Sequence, residues 1–120
     1  MLLTRIVAMV FSLLLVVVGA GVTSGQTYPS KPVRITTYSV GGSNDFAARL
    51  LAEGLAAPLG QPVIVDNRAG SVIPGEVVSR APADGYTILV AGGIFTILHL
   101  LQETPYDPIR DFSQISLIGI

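Results

Sequence analysis

Short β-branched segments alternate with amphipathic segments along this chain, and that alternation limits the fold more than any other feature. β-Branched residues are concentrated in VRITTYS (residues 33–39), PVIVDN (62–67) and YTILVAG (86–92), each beside proline or glycine, which is typical of strands. Residues 44–57 instead place apolar side chains three and four positions apart, as on one face of a helix. Strands separated by helices pair in parallel through right-handed crossovers. The sequence therefore predicts an α/β fold with a mainly parallel sheet.

The same alternation continues towards the last residue. Residues 75–81 and 93–102 fit short helices, and ISLIGI (115–120) is predicted to be a strand. The longer helix should end near Ala57, because Pro58 disfavours a continuing helix. We therefore expect strands and helices to alternate from the first strand to the last.

The first 25 residues differ in composition from the rest. Arg5 precedes an uninterrupted apolar run from Ile6 to Val18, and small residues follow that run. This order is typical of a cleaved secretory signal peptide, whereas a retained membrane anchor needs about 20 apolar residues. We predict a signal peptide over residues 1–25 and export to the periplasm. Residues 26–120 are then predicted to form one α/β lobe, incomplete at its C-terminus because the chain finishes within an apolar strand.

Cysteine and charge content exclude several classes of protein. The chain has no cysteine, which excludes disulfides, thiolate metal sites and a cysteine nucleophile. Seven basic residues, one of them Arg5, stand against eight acidic residues, so the formal charge without the signal peptide is −2. No basic patch is present to hold nucleic acid, and we predict no nucleic-acid partner.

A polar turn containing two glycines joins the first predicted strand to the long helix, within the sequence YSVGGSNDFAARLLAEGL (residues 38–55). Parallel sheets bind ligands at the carboxyl ends of their strands, so this turn and the one formed by residues 92–96 are the candidate binding loops. The adjacent glycines do not match the G-x-G-x-x-G fingerprint of dinucleotide sites, and no lysine completes a Walker loop. We therefore predict no cofactor.

A catalytic interpretation of this turn lacks partners. A nucleophile elbow places serine between two glycines, whereas Ser43 has Asp45 two positions later. The one histidine, His99, lies in an apolar stretch, and Asp107 and Asp111 lie in a proline-containing loop. We predict no catalytic residue and no metal site. A small α/β enzyme that uses the Gly41 to Asp45 loop is the alternative.

The turn does offer the N-terminus of a helix. Ser43 or Asn44 is predicted to be the N-cap, and Asp45 would offset the partial positive charge of the helix. Gly41 and Gly42 leave backbone N–H groups uncovered, where a carboxylate could bind. Asp45 must then be turned aside or paired, because two negative charges at one site repel each other.

Five segments match one known family in order and with similar spacing. They are YPSKPVRITT, GGSNDFAARLLAEGL, LGQPVIVDNRAG, GEVVSRAPADGYTILVAG and TPYDPIRDFSQISLI. Together they resemble the solute-binding receptors of tripartite tricarboxylate transporters, also called the Bordetella uptake gene family. The resemblance covers essentially all of the chain after the signal peptide, and it identifies the sequence as the N-terminal part of such a receptor.

The resemblance implies a periplasmic-binding-protein-like (type II) three-layer lobe, the first lobe only. It implies a non-enzymatic receptor that captures a small organic acid (a di- or tricarboxylate, an amino acid or an aromatic acid) for membrane transporter subunits. In this family backbone amides and water at strand ends hold the carboxylate. The ligand-binding residues that the resemblance implies are Ser39, Val40, Gly41, Gly42, Ser43, Asn44, Asp45, Gly92, Gly93 and Ile94.

The loop departs from the family pattern at two positions. The usual GGGTD is GGSND here, so Ser43 stands in place of a glycine and Asn44 in place of a threonine. This difference changes the surface offered to a ligand. The family's second domain does not follow in this sequence, and a truncated gene product without present function is a further alternative.

Overall fold

A parallel three-stranded sheet forms the centre of the protein. The structure, a computed structural model, describes residues 1–3, 5 and 27–119. Its strands are β1 (Val33–Thr37), β2 (Val63–Asn67) and β3 (Thr87–Leu89), and its helices are α1 (Ser43–Leu59), α2 (Ile73–Ser79) and α3 (Ile94–Leu101). Apart from Met1–Leu3 and Arg5, the predicted signal peptide lies outside the described residues.

β1 lies in the middle of the sheet, and the strand order is β2-β1-β3. Both pairings are parallel, with Val33 opposite Val63 on one side and Ile35 opposite Ile88 on the other. The chain thus leaves β1 first towards β2 and then crosses back to β3. Because crossovers are right-handed, such a reversal places the intervening helices on opposite faces of the sheet. The α/β class with a parallel sheet is confirmed.

Helix α1 is two residues longer than the sequence predicted. It continues through Pro58 to Leu59 and ends at Gly60, whose φ of 64° is left-handed and whose N–H donates to the Ala57 carbonyl at 3.2 Å. Proline removes one backbone hydrogen bond, but Pro58 lies in the last turn and the helix continues one residue past it. Glycine adopts the left-handed conformation without the steric cost that other residues carry.

The core lies between α1 and the sheet. Ala48 and Ala52 on α1 are buried against Ile35 and Val90. Because alanine side chains are small, the helix approaches the strands closely. Half-buried apolar residues from α1 and β2 extend this core: Ala47, Leu51, Val63 and Val65.

An aromatic cluster packs behind β3. Phe95 at the start of α3 stacks on Tyr106, with ring centroids 5.5 Å apart, and Phe112 meets both rings edge to face. The Tyr106 ring lies directly over Gly75 in α2. We define Phe95, Tyr106 and Phe112 as the aromatic cluster.

The predicted last strand is not formed. Residues 115–119 have no strand pairing and are exposed, with Ile115 at 78% and Leu117 at 81%. A strand is stabilised by hydrogen bonds to a neighbour, and among the described residues no strand lies beside this segment. The prediction of a strand there is wrong for these residues. Of the helices described, none has the length and apolarity that crossing a membrane requires.

Candidate functional site

Two loops meet at the carboxyl ends of the central strands. We define the β1 loop as residues 39–45 and the β3 loop as residues 92–94; each includes the first residues of the helix that follows it. Just before them, the Thr37 hydroxyl donates to the Val90 carbonyl at 2.9 Å, and the Val90 N–H donates to the Thr36 carbonyl at 3.0 Å. These bonds fix the two loops side by side.

The loops also contact each other directly. A Cβ on Gly92 would lie 3.4 Å from Oδ1 of Asn44, so the Asn44 side chain rests against the Gly92 backbone. β1 and β3 flank the point where the strand order reverses, and such switch points are where open α/β sheets bind ligands. The structure therefore brings together the two loops that the sequence predicted as candidate binding loops.

The backbone of the β1 loop depends on glycine at one position. Gly41 has a φ of 88°, in the left-handed region. Gly42 is extended and is the N-cap of α1, with no side-chain cap hydrogen bond. The prediction that Ser43 or Asn44 caps the helix is therefore wrong: both lie inside its first turn, one residue and two residues past the cap.

Asp45 points away from the loop surface and is buried, with its side chain 6% exposed. Its Oδ2 accepts the Gly41 N–H at 2.9 Å. Its Oδ1 accepts Nδ2 of Asn67 at 2.9 Å and Nε of Arg49 at 3.0 Å. The Gly41 hydrogen bond, followed by those of Asn67 and Arg49, lowers the pKa of Asp45 to about 2. The acid beside the loop is thus turned inward and paired.

Backbone N–H groups remain on the outer side of both loops. Within residues 27–119, the amides of Gly42, Ser43 and Asn44 donate no hydrogen bond, and neither do those of Gly93 and Ile94. Most of these residues are exposed. Free amides at the start of α1 combine with the partial positive charge of the helix end to favour an anion.

The remaining predicted residues, Ser39 and Val40, lie on the exposed rim of the β1 loop. Val40 is 71% exposed. Every residue of the predicted set therefore lies in one of two adjacent loops, although Asp45 faces inward.

Sequence reasoning missed the residues that support the β1 loop. Asn67 ends β2 and its Nδ2 also donates to the Tyr38 carbonyl at 2.8 Å. Arg49 lies four positions after Asp45, a helical spacing that would have indicated the ion pair. Asn67 could have been recognised as a polar residue at the end of β2, because strand ends meet at one edge of a parallel sheet.

Two tyrosine hydroxyls lie buried behind the loops. Tyr38 follows β1 directly, and Tyr106 belongs to the aromatic cluster; neither hydroxyl has a hydrogen-bond partner within the described residues. Burial, with a smaller contribution from Tyr106, raises the pKa of Tyr38 to about 12. Burial also raises the pKa of Tyr106.

An open recess lies at the opposite end of the sheet. It is lined by Thr27, Tyr28, Ser30, Lys31, Asp84 and Tyr86. The Lys31 ammonium lies 4.5 Å from the centre of the Tyr86 ring, and the Ser30 N–H donates to the Tyr86 hydroxyl at 2.8 Å. These contacts attach the segment before β1 to the start of β3. This recess is remote from the two loops.

Among the described residues, no side chain makes a hydrogen bond with the Ser43 hydroxyl. His99 lies in α3, and the part of the chain that the structure describes holds no group of three or more histidine, aspartate or glutamate side chains placed to bind a metal. The arrangement at the loops is suited to holding an anion by amides.

The comparison with protein families decides the affiliation. Residues 47–119 match the model of the tripartite tricarboxylate transporter family receptor, TctC. The chain belongs to this family. It is 36% identical to protein BugT of Bordetella pertussis, over 97% of this chain and 37% of BugT. The family predicted from the motifs is thereby confirmed.

Solved TctC-like structures share the fold. MatC from Rhodopseudomonas palustris with bound malate is similar with a TM-score of 0.68 and 29% identity, covering 76% of this chain and 33% of MatC. An R. palustris protein with adipate is similar with a TM-score of 0.50 and 37% identity, covering 52% of this chain and 22% of that protein. The matched part of the chain spans only 22% to 37% of the length of these relatives. The family and these neighbours are periplasmic solute-binding proteins, not enzymes.

Proposed function

We propose that this TctC-family chain forms a carboxylate-binding lobe of a periplasmic receptor that captures a small organic acid for a tripartite transporter. The observation that carries the proposal is the pairing of two loops. Their exposed amides donate no hydrogen bond within residues 27–119, and Arg49 compensates the charge of Asp45, the one acid in these loops. Malate in MatC and adipate in the second neighbour make a dicarboxylate the first candidate.

The proposed ligand contacts follow from the geometry of the loops. One carboxylate of the ligand would accept N–H groups of Gly42, Ser43 and Asn44, where the helix end adds partial positive charge. The β3 loop would add the amides of Gly93 and Ile94. Ser39 and Val40 would form the rim, and Gly92 would keep Asn44 in place.

The proposed organisation includes three further parts. Residues 1–25 are a signal peptide, residues 26–120 are the first lobe, and a second lobe closes over the ligand in the complete receptor. Closure buries the ligand from both sides and supplies most of the affinity. The closed receptor would then deliver the acid to membrane subunits of the transporter.

The proposal is tested by NMR on the ¹⁵N-labelled chain with added malate. We expect the amide signals of Gly42, Ser43, Asn44 and Gly93 to shift, and the same concentration of the uncharged diamide of malate to leave them unchanged. Calorimetry should show weak binding or none, because one lobe supplies only part of the contacts. Shifts confined to residues outside the two loops would contradict the proposed binding site, and micromolar affinity of the isolated chain would contradict the role given to the second lobe.

A methyl group at Gly93 provides the matched variant. Gly93 has a φ of −57°, and a Cβ there would meet nothing within 4 Å, so Gly93→Ala should fold normally. The new methyl would lie on the surface that a ligand must approach. We expect Gly93→Ala to weaken the malate shifts, whereas Gly54→Ala, also free of neighbours but on the outside of α1, should leave them intact.

A further inference from the structure

We propose that Asp45 is a positioning residue that anchors the β1 loop through Gly41 and does not contact the ligand. This inference rests on the proposed function, and under it Asp45 is not one of the ligand contacts that the family resemblance implied. In this view the loop has two sets of amides: the Gly41 N–H is used internally by Asp45, and those of Gly42, Ser43 and Asn44 remain for the ligand.

Both oxygens of the Asp45 carboxylate accept hydrogen bonds inside the fold, and the side chain is only 6% exposed. Oδ2 accepts from Gly41, and Oδ1 accepts from both Asn67 and Arg49. The first of these bonds reaches back from the third residue of α1 to the residue before the N-cap. It therefore holds the left-handed turn at Gly41 closed, in the manner of the acidic residue of a capping box.

Asn67 fixes the direction in which Asp45 points. Its Nδ2 donates to both the Tyr38 carbonyl and Asp45, at 2.8 and 2.9 Å, and its Oδ1 accepts Nη2 of Arg49 at 3.3 Å. The reversed amide would place an oxygen against two acceptors, so only one orientation is satisfied. The ends of β1, β2 and the start of α1 are joined in this way.

Charge balance explains why an acid is tolerated beside an anion site. An unpaired carboxylate at the start of α1 would repel a second carboxylate arriving at the same helix end. Arg49 lies 3.0 Å from Asp45 and compensates its charge locally. The loop therefore presents amides without net negative charge.

The inference is tested without ligand by hydrogen exchange of the Gly41 amide in Asp45→Asn. Loss of a charge-assisted hydrogen bond should accelerate exchange at Gly41 about tenfold, while amides in the middle of α1 keep their protection. Asp66→Asn is the matched control, since Asp66 pairs with Arg68 at 3.0 Å at the end of the same sheet and makes no hydrogen bond to the β1 loop. Unchanged exchange at Gly41 would overturn the inference.

A second variant covers the case in which Asp45→Asn does not fold. Arg49 is half exposed, so Arg49→Gln should fold and should raise Gly41 exchange to a smaller extent. Arg80→Gln removes an equivalent ion pair with Glu76 in α2 and should leave Gly41 unaffected. Equal behaviour of the two arginine variants at Gly41 would contradict the inference.

Addition of malate separates this inference from the proposed function. If the unmodified chain shows no malate shifts but Gly41 exchange responds as expected, the anchor stands and the function fails. If malate shifts appear in the unmodified chain and grow larger in Asp45→Asn, then Asp45 faces and repels the ligand, and the positioning role is refuted.

Discussion

The β1 loop and the β3 loop reach the same edge of the sheet but are stabilised by different forces. Charged and polar side chains hold the β1 loop: Asp45 binds Gly41, Asn67 and Arg49 within 3.0 Å. The β3 loop has no comparable side-chain network in the described part of the chain. Its position follows from the Val90 hydrogen bonds in front and from the aromatic cluster behind.

The two loops therefore differ in how far along the chain their supporting residues lie. The β1 loop is fixed by residues on the two strands and the helix immediately around it. The β3 loop depends on Phe95, whose ring rests on Tyr106, and thus on residues that follow α3. Changes in α2 or in residues 104–112 should therefore disturb the β3 loop more than the β1 loop.

The largest effect is expected from Gly75→Ala, because the new methyl group displaces Tyr106, a residue of the aromatic cluster that supports the β3 loop. A Cβ at Gly75 would lie 2.5 Å from Cζ of the buried Tyr106 ring, so the ring must move. Overpacking of this kind costs about 2–3 kcal/mol of unfolding free energy. Urea unfolding measures the loss, and NMR should show shifts at Gly92 and Gly93 larger than those at Gly41.

Gly54→Ala is the control for a helical glycine. Gly54 lies inside α1, and a Cβ there meets nothing within 4 Å. Alanine should stabilise the helix by about 0.5–1 kcal/mol. If both substitutions destabilise equally, contact with Tyr106 is not the cause.

The next effect concerns the hydrogen bond that joins the two loops. Thr37→Val removes the hydroxyl that donates to the Val90 carbonyl while keeping the side-chain shape, and should cost about 1–2 kcal/mol. Thr36→Val is the matched control: both threonines are fully buried, but the Thr36 hydroxyl has no partner within the described residues. Removing it should be neutral or stabilising in urea unfolding. A larger loss at Thr36 than at Thr37 would contradict this assignment.

Sequence alone located both loops because they follow from topology. Strand ends, glycines and the start of a helix can be recognised along the chain, and a parallel sheet brings them to one edge. The supports were harder to find. The position of Asn67 at the end of β2 and the helical spacing of Arg49 were available signals, but the contact of Asn67 with Asp45 spans 22 positions. Tyr106 reaches Gly75, 31 positions earlier, and nothing in the local pattern indicates that contact.

The failed prediction at residues 115–119 has a related cause. Their apolar, β-branched composition fits a strand, but strand formation also requires a neighbour that offers hydrogen bonds. Composition describes the segment, whereas pairing depends on what lies beside it. The N-cap prediction failed for a more local reason. The left-handed turn at Gly41 makes Gly42 the N-cap, and no side chain caps the helix there. A side-chain hydrogen bond still stabilises this helix end, because Asp45 accepts the Gly41 N–H.

A smaller effect distinguishes the two glycines of the β1 loop. Gly41→Ala forces a side chain into the left-handed region and should cost about 1 kcal/mol, although space for the methyl is free. Gly42→Ala keeps a φ of −85°, and its Cβ would lie 3.7 Å from the Ser39 carbonyl, so it should change stability little. Equal unfolding midpoints for the two variants would show that the turn at Gly41 adapts without strain.

The last effect concerns the stability of the fold in acid. The Gly41 hydrogen bond and its neighbours lower the pKa of Asp45 to about 2, so this carboxyl stabilises the fold above its ordinary pKa and loses that contribution as the pH falls from about 4 towards 2. Backbone hydrogen bonds also lower the pKa values of Asp107 and Asp111, beside the aromatic cluster.

Lowering the pH should therefore destabilise the supports of both loops. The Asp45→Asn substitution distinguishes the contribution of Asp45 from those of Asp107 and Asp111. In Asp45→Asn the stability change between pH 5 and pH 2.5 should be smaller than in the parent chain, because one titrating group is gone. What remains should come from Asp107 and Asp111, and Asp107→Asn should reduce that part. If Asp45→Asn retains the full pH dependence, the β1 loop does not depend on the charge of Asp45, and the contrast between a polar and an aromatic support is wrong.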